Sequence, residues 1–284
     1  MGYNQSRNKQ LKPHSTADRG LNLKLREEFE RDGVVFIKEL FSGESINSLK
    51  SSLLTVREGL YATGLLPDKL RRIKSQESPG VAFHSACNVW KSDSEIKKAL
   101  LQSKLGEVAG MLMNWDSCKV NQDTFFSVEP GFGPTTFHQD NPYQKWHSSR
   151  GGVVTAWIAI EDVLFDMGGL EFALGSHKNL EKGQILREPF LNSSDYKTEF
   201  EKFQSLSDCN YSIVRPLFSA GDVTFHHGDL WHGSALNNSD RSRLSYSVHL
   251  MDGTSKFTDE VSPYFSRFKK DDSDEMDASF FPMF

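Results

Sequence analysis

The chain has 284 residues with 33 Lys and Arg against 38 Asp and Glu, a formal charge of −5, and 37% of its positions are hydrophobic. This is the composition of an ordinary soluble globular protein, and it lacks the net basic footprint of one built to hold a nucleic-acid backbone. No apolar run approaches the roughly 18 to 20 residues of a membrane-spanning helix, so no membrane span is expected. Length alone leaves one or two domains open. Cys87, Cys118 and Cys209 are scattered and form no C-x-x-C pair, a pattern of reduced thiols in a cytoplasmic protein. Met1, Gly2 and Ser6 fit the pattern for N-myristoylation, against the plainer reading of residues 1–20 as a disordered polar tail.

After that tail, Leu21, Leu25 and Phe29 recur at helical spacing up to Gly33, a suitable left-handed cap. Val34 to Ile37 reads as a first strand. Ser42 then caps a long amphipathic helix with Ile46, Leu49, Leu53, Val56 and Leu60 on its buried face, expected to end near Gly64. Basic residues Lys69, Arg71, Arg72 and Lys74 read as a solvated loop in preference to a phosphate-binding patch. A further helix is expected from a capping box at Ser92 and Glu95, with a stripe running from Ile96 to Leu112.

From Lys119 the period becomes strand-like. KVNQDTFFSV, TTFHQ, VVTAWIAI, LEFAL, YSIVRPL, DVTFHH and RLSYSVHL are strand candidates, separated by Gly and Pro signals,. So many short strands suggest a barrel or double-sheet jelly roll with the early helices packed on its outside. The acidic run Asp271 to Asp277 reads as a solvated turn before the final FFPMF packs back,.

His138 and Asp140 lie two residues apart at the end of a predicted strand, so both face the same way. Alone, H-x-D describes a surface hydrogen bond as well as it does a metal site. The segment DVTFHHGDLWHGS adds His232, and two histidines with one carboxylate make the facial triad that holds non-haem iron and leaves coordination positions open. His226 and His227 compete for the third place. In RLSYSVHL, Leu244, Tyr246, Val248 and Leu250 share one face, while Arg243, Ser245, Ser247 and His249 share the other. An inward-facing Arg needs an anion, either an internal carboxylate or a bound one.

FHQD, VVTAWIAIEDV, GGLEFALGSHK and WHGSALNNSDRSRLSYSVHL, in that order, resemble the phytanoyl-CoA dioxygenase superfamily of Fe(II)- and 2-oxoglutarate-dependent oxygenases. The resemblance spans roughly Asp32 to Met251. It implies a double-stranded β-helix, that is, a cupin-like jelly-roll core over about 115–284, packed by a helical part over about 21–114, the whole forming one domain over 21–284. It further implies His138, Asp140 and His232 as iron ligands, and Arg243 as partner of the distal carboxylate of 2-oxoglutarate. Gln139, Trp157 and Ser234 become neighbours of that cosubstrate, with Gln122 a weaker candidate because its strand register is uncertain. His177 is expected to be structural. The implied activity consumes O2 and 2-oxoglutarate and hydroxylates a small-molecule substrate. Asp140 places the chain with hydroxylating relatives, since related halogenases carry a small residue there. Tyr143, Trp146 and His147 form either a lid over the site or ordinary loop packing. The competing readings are a catalytically inactive jelly-roll binding or regulatory protein and a non-oxidative metal cupin.

Overall fold

The computed structural model describes residues 11–15, 21–74, 81–179, 195–207, 209–261 and 263–284. In chain order the elements are β1 (Pro13–Ser15), α1 (Leu21–Asp32), β2 (Val34–Lys38), α2 (Gly43–Arg57), β3 (Lys69–Lys74), β4 (Val81–Cys87), α3 (Ser94–Leu101), α4 (Leu105–Met113), β5 (Cys118–Val128), β6 (Thr135–His138), β7 (Val154–Ala159), β8 (Leu170–Ala173), α5 (Thr198–Ser207), β9 (Ile213–Val214), β10 (Val223–His227), β11 (His232–Ser234), β12 (Arg243–Asp252) and α6 (Pro263–Ser266). A large sheet in the order β1-β2-β10-β7-β12-β5-β4-β3 is paired with a smaller one ordered β6-β11-β8-β9. This is the expected jelly roll. Among the described residues no helix is long and apolar enough to cross a membrane.

Alternation along the strands divides the chemistry of the large sheet between its two faces. Leu244, Tyr246, Val248 and Leu250 of β12 join Phe125, Ala156 and Ile158 in a core shared with Leu25, Phe29, Leu49 and Leu53 of α1 and α2. The opposite face of β12 carries Arg243, Ser245, Ser247 and His249 into a cavity. A second core contains Trp157 of the large sheet and Phe172 of the small one, with Phe218 and Leu230. The tail Phe281 is buried, and Val120 N–H donates to Pro282 O at 2.9 Å, so the C-terminus does pack back.

Several local expectations are corrected. The part of the chain expected to be helical supplies, beside the expected strand β2, also β3 and β4 to the large sheet. The basic stretch is not a loop but edge strand β3, paired along its length with β4. Of the N-terminal tail, Pro13–Ser15 form a short strand parallel to β2, and the myristoylation pattern lies outside the described residues. Helix α2 stops at Arg57, because Gly59 turns the chain with φ +86°, and Leu60 is exposed. The stripe from Ile96 to Leu112 belongs to two helices. Ser103 interrupts it by donating to Leu100 O at 2.6 Å. Asp93, not Ser92, is the cap, since its Oδ1 accepts from Glu95 N at 2.8 Å and Ile96 N at 3.1 Å.

Gly33 ends α1 as expected, with φ +79° and its N–H on Phe29 O at 2.8 Å. A side chain there would also strike His177 and Leu230. On β5, the fully buried Asp123 accepts from Val89 N at 2.8 Å and Trp90 N at 3.1 Å, and so ties the turn before α3 to the sheet. Burial pushes its carboxyl up to about 7. Asp123→Ala leaves two buried N–H groups without an acceptor, and is expected to cost about 3 kcal/mol, read as a fall of several degrees in the thermal midpoint.

Candidate metal centre

Strands β6 and β11 are antiparallel neighbours, and their register sets His232 directly opposite His138. The two ring centroids are 4.4 Å apart. Asp140 follows β6 on a turn whose backbone is held from below: Asp140 N and Asn141 N both donate to Gly228 O, at 2.7 and 2.8 Å. Gly228 is required by close approach, because a Cβ there would lie 2.2 Å from Asn141 Oδ1. The carboxylate thereby reaches both imidazoles. Asp140 Oδ1 is 3.6 Å from His138 Nε2 and 3.7 Å from His232 Nε2, and the three ligand atoms lie within 4.8 Å of one another.

The tautomers suit a metal. His138 Nδ1 donates to Thr136 O at 2.7 Å and His232 Nδ1 to Leu230 O at 2.9 Å, which turns both Nε2 lone pairs toward the centre,. Burial, with each ring's neighbouring histidine adding to it, holds both imidazoles at about 4, so they are neutral ligands at ordinary pH. For Asp140 burial acts in the other direction, yet His232, His249 and His226 outweigh it and keep the carboxylate well below its usual range. The donor set is two neutral nitrogens and one anionic oxygen, all buried, with no cysteine nearby. That fits Fe(II) better than structural zinc.

Arg243 lines the same cavity. Its guanidinium is buried, and Nε and Nη1 have no hydrogen-bond partner among the described residues. Burial without a counter-charge lowers it to about 10. A cation placed this way is costly unless an anion joins it, so the cavity has the features of a carboxylate receptor.

The remaining sequence candidates separate clearly. Trp157 and Ser234 line the cavity with the triad. Gln139, between His138 and Asp140, turns away from the cavity, and its Nε2 donates to Asp229 O at 2.6 Å. Gln122 lies opposite His249 in the ladder and donates to Thr124 Oγ1 at 3.2 Å, outside the lining of the cavity. Of the competing histidines, His227 packs against Phe29 and His177 on the far side of β10, consistent with a structural His177. His226 is on the cavity wall, with Nε2 3.5 Å from Asp140 Oδ2, not on the triad's Oδ1. Trp146 stacks on Phe265 at 3.7 Å, and His147 is buried behind it, so this segment is loop packing. Tyr143 alone stays near the centre, 6.4 Å from the His138 ring. Residue spacing assigns Thr155 and His249 no contact with Asp140 and offers His226 only as a rival ligand; the shared approach of all three to Asp140 depends on the sheet register.

Two histidines and a carboxylate on the wall of a jelly roll, with a guanidinium unpaired among the described residues in the same cavity, make the donor set of a non-haem metal site,. The profile of the phytanoyl-CoA dioxygenase (PhyH) family matches residues 29–245, and the chain belongs to this family of Fe(II)- and 2-oxoglutarate-dependent oxygenases. Among curated relatives, mouse phytanoyl-CoA dioxygenase domain-containing protein 1 is 33% identical over 134 residues, 47% of this chain and 45% of that protein. The chain thus spans about half the length of the first relatives it matches. A Caenorhabditis briggsae homologue of the same protein is 24% identical over 280 residues, covering 80% of this chain and 90% of the relative. Among solved structures, the non-heme alpha ketoglutarate dependent carbocyclase SnoK from nogalamycin biosynthesis superposes with a TM-score of 0.72 at 21% identity, covering 92% of this chain and 95% of that one. EctD from S. alaskensis, solved with 2-oxoglutarate and 5-hydroxyectoine, gives 0.66 at 18% identity, with 90% and 88% covered. These two likenesses establish the shared fold.

Replacing Asp140 by Ala removes the anionic member of the triad from a site whose backbone is held independently through Gly228. The expected outcome is loss of tight divalent-metal binding in a protein with unchanged circular dichroism, measured by titrating the metal-free variant with Co(II).

Proposed function

We propose that this protein is an Fe(II)- and 2-oxoglutarate-dependent oxygenase that hydroxylates an unactivated C–H bond of a small-molecule substrate, with release of succinate and CO2. The observation that carries this reading is the meeting, in one cavity, of the triad and a buried guanidinium with no counter-charge among the described residues. The likeness to EctD, solved with 2-oxoglutarate and 5-hydroxyectoine, supports a small-molecule substrate.

His138, Asp140 and His232 would hold the iron on one face and leave the other half of an octahedron open. Bound there, iron with 2-oxoglutarate supplies the O2 activation that no side chain provides. The protein's own part is positioning. Arg243, whose buried Nε and Nη1 lack partners among the described residues, would hold the far carboxylate of the cosubstrate through charge-assisted hydrogen bonds from its guanidinium,. Ser234, Trp157 and Ser245 line the same cavity, and Ser245, whose buried hydroxyl lacks a partner among the described residues, would be free to bond a ligand held there. Phe83, Phe126 and Leu170 complete an apolar wall that limits water and so strengthens the guanidinium's hold,. Gln139 and Gln122 act, on this reading, only through the backbone and neighbours they support.

Anaerobic titration of metal-free protein with Fe(II) and 2-oxoglutarate is expected to produce a weak visible charge-transfer band only when both are present. Absence of the band from well-folded protein would reject the oxygenase reading. Arg243→Ala loses about two charge-assisted hydrogen bonds, on the order of 3 kcal/mol, so 2-oxoglutarate should bind about a hundredfold more weakly while Fe(II) affinity is retained. An unchanged cosubstrate affinity would place the anion site elsewhere.

A further inference from the structure

Asp140 has two oxygens in different surroundings. Oδ1 faces His138 and His232, whereas Oδ2 accepts from Thr155 Oγ1 at 2.6 Å. A hydroxyl has one proton, and a carboxylate has none to give, so Thr155 spends its proton on Oδ2. The contact between Thr155 Oγ1 and His249 Nδ1, 2.8 Å, must then run the other way, with His249 Nδ1–H donating. The order of donation is His249 to Thr155 to Asp140. Both donors sit on the large sheet, where His249 and Thr155 face each other across β12 and β7, while the two histidine ligands belong to the small sheet. Thr155 and Asp140 are buried.

Resting on the metal-centre reading above, we infer that Thr155 and His249 are positioning residues that form a latch on Asp140 Oδ2 and make the carboxylate a one-oxygen ligand. The latch matters because of what a second metal–oxygen bond would consume. With only three protein ligand atoms, an ion bound here would keep its remaining positions for other ligands,. A carboxylate swung round to bind through both oxygens would take one of these. Engaging Oδ2 from the opposite sheet keeps that position open, and fixes the direction of Oδ1 before metal arrives. His226 Nε2, 3.5 Å from the same Oδ2, adds to the bias.

The test is Co(II) titration of metal-free wild type, Thr155→Val, Thr155→Ser, His249→Leu and the double variant Thr155→Val/His249→Leu, followed by visible absorption, with thermal midpoints recorded alongside. Valine keeps the shape of threonine but cannot donate, and should weaken Co(II) binding about 10- to 100-fold at an unchanged midpoint. Serine keeps the hydroxyl and should restore affinity to within about threefold. His249→Leu should weaken binding by less, and the double variant should bind no worse than Thr155→Val, because the two donors act in series. Wild-type affinity in both Thr155→Val and His249→Leu would overturn the latch, as would additive losses in the double variant. If Thr155→Val fails to fold, His249→Leu and Thr155→Ser decide: wild-type affinity in the first, or a loss beyond tenfold in the second, overturns it. Failure of wild type itself to bind Co(II) would reject the metal centre, a result distinguishable from failure of the latch.

Discussion

A carboxylate buried between two sheets is the constraint on which the rest of this site depends. Asp140 has no Lys or Arg ion pair among the described residues; its close charged and polar neighbours are His138, His226, His232, His249 and Thr155. Desolvating an anion costs several kcal/mol unless dipoles or cations replace the lost water. Here imidazole and hydroxyl groups do so from both sheets at once, and a divalent ion would complete the compensation. The two sheets are therefore tied together at the centre by polar contacts as well as by the apolar core behind it.

The same cavity holds a second uncompensated charge of opposite sign. Arg243 and Asp140 do not pair with each other, although both are buried and both line the cavity. A protein selected for stability alone would gain by letting them meet. Kept apart, the carboxylate is available to a cation and the guanidinium to an anion, and a ligand set that binds as a metal–dicarboxylate chelate satisfies both. This separation is a stronger argument for chemistry than either charge taken singly, because each would otherwise be an unrewarded cost.

What could be read in advance follows from periodicity. The two-residue period of β12 assigned Leu244, Tyr246, Val248 and Leu250 to one face and Arg243, Ser245, Ser247 and His249 to the other, and both assignments hold. The same rule placed His138 and Asp140 together. Gln139 follows the strand's last residue, and its side chain is engaged by Asp229 O instead of the cavity. The N-terminal half was less legible. Lys69 to Lys74 forms an edge strand whose charges suit a solvent-facing edge, and its adjacent Arg71 and Arg72 break the apolar alternation that marks a strand,. The break at Ser103 escaped notice because the apolar stripe continues in phase across it.

Long-range register lay beyond reach of any pattern within one segment. Pairing of His232 with His138 across β11 and β6, and of His249 with Thr155 across β12 and β7, is set by how distant strands align. A one-residue slip in either pairing would reverse the facing of every side chain on the moved strand. Triad residues survive such ignorance, because their chemistry announces them; Thr155 and His249 do not, since a threonine and a histidine on strands are common. Their significance appears only when the ladder brings them to the same carboxylate oxygen. Residues that aim a ligand are thus legible chiefly in three dimensions, while residues that are ligands can be read in one.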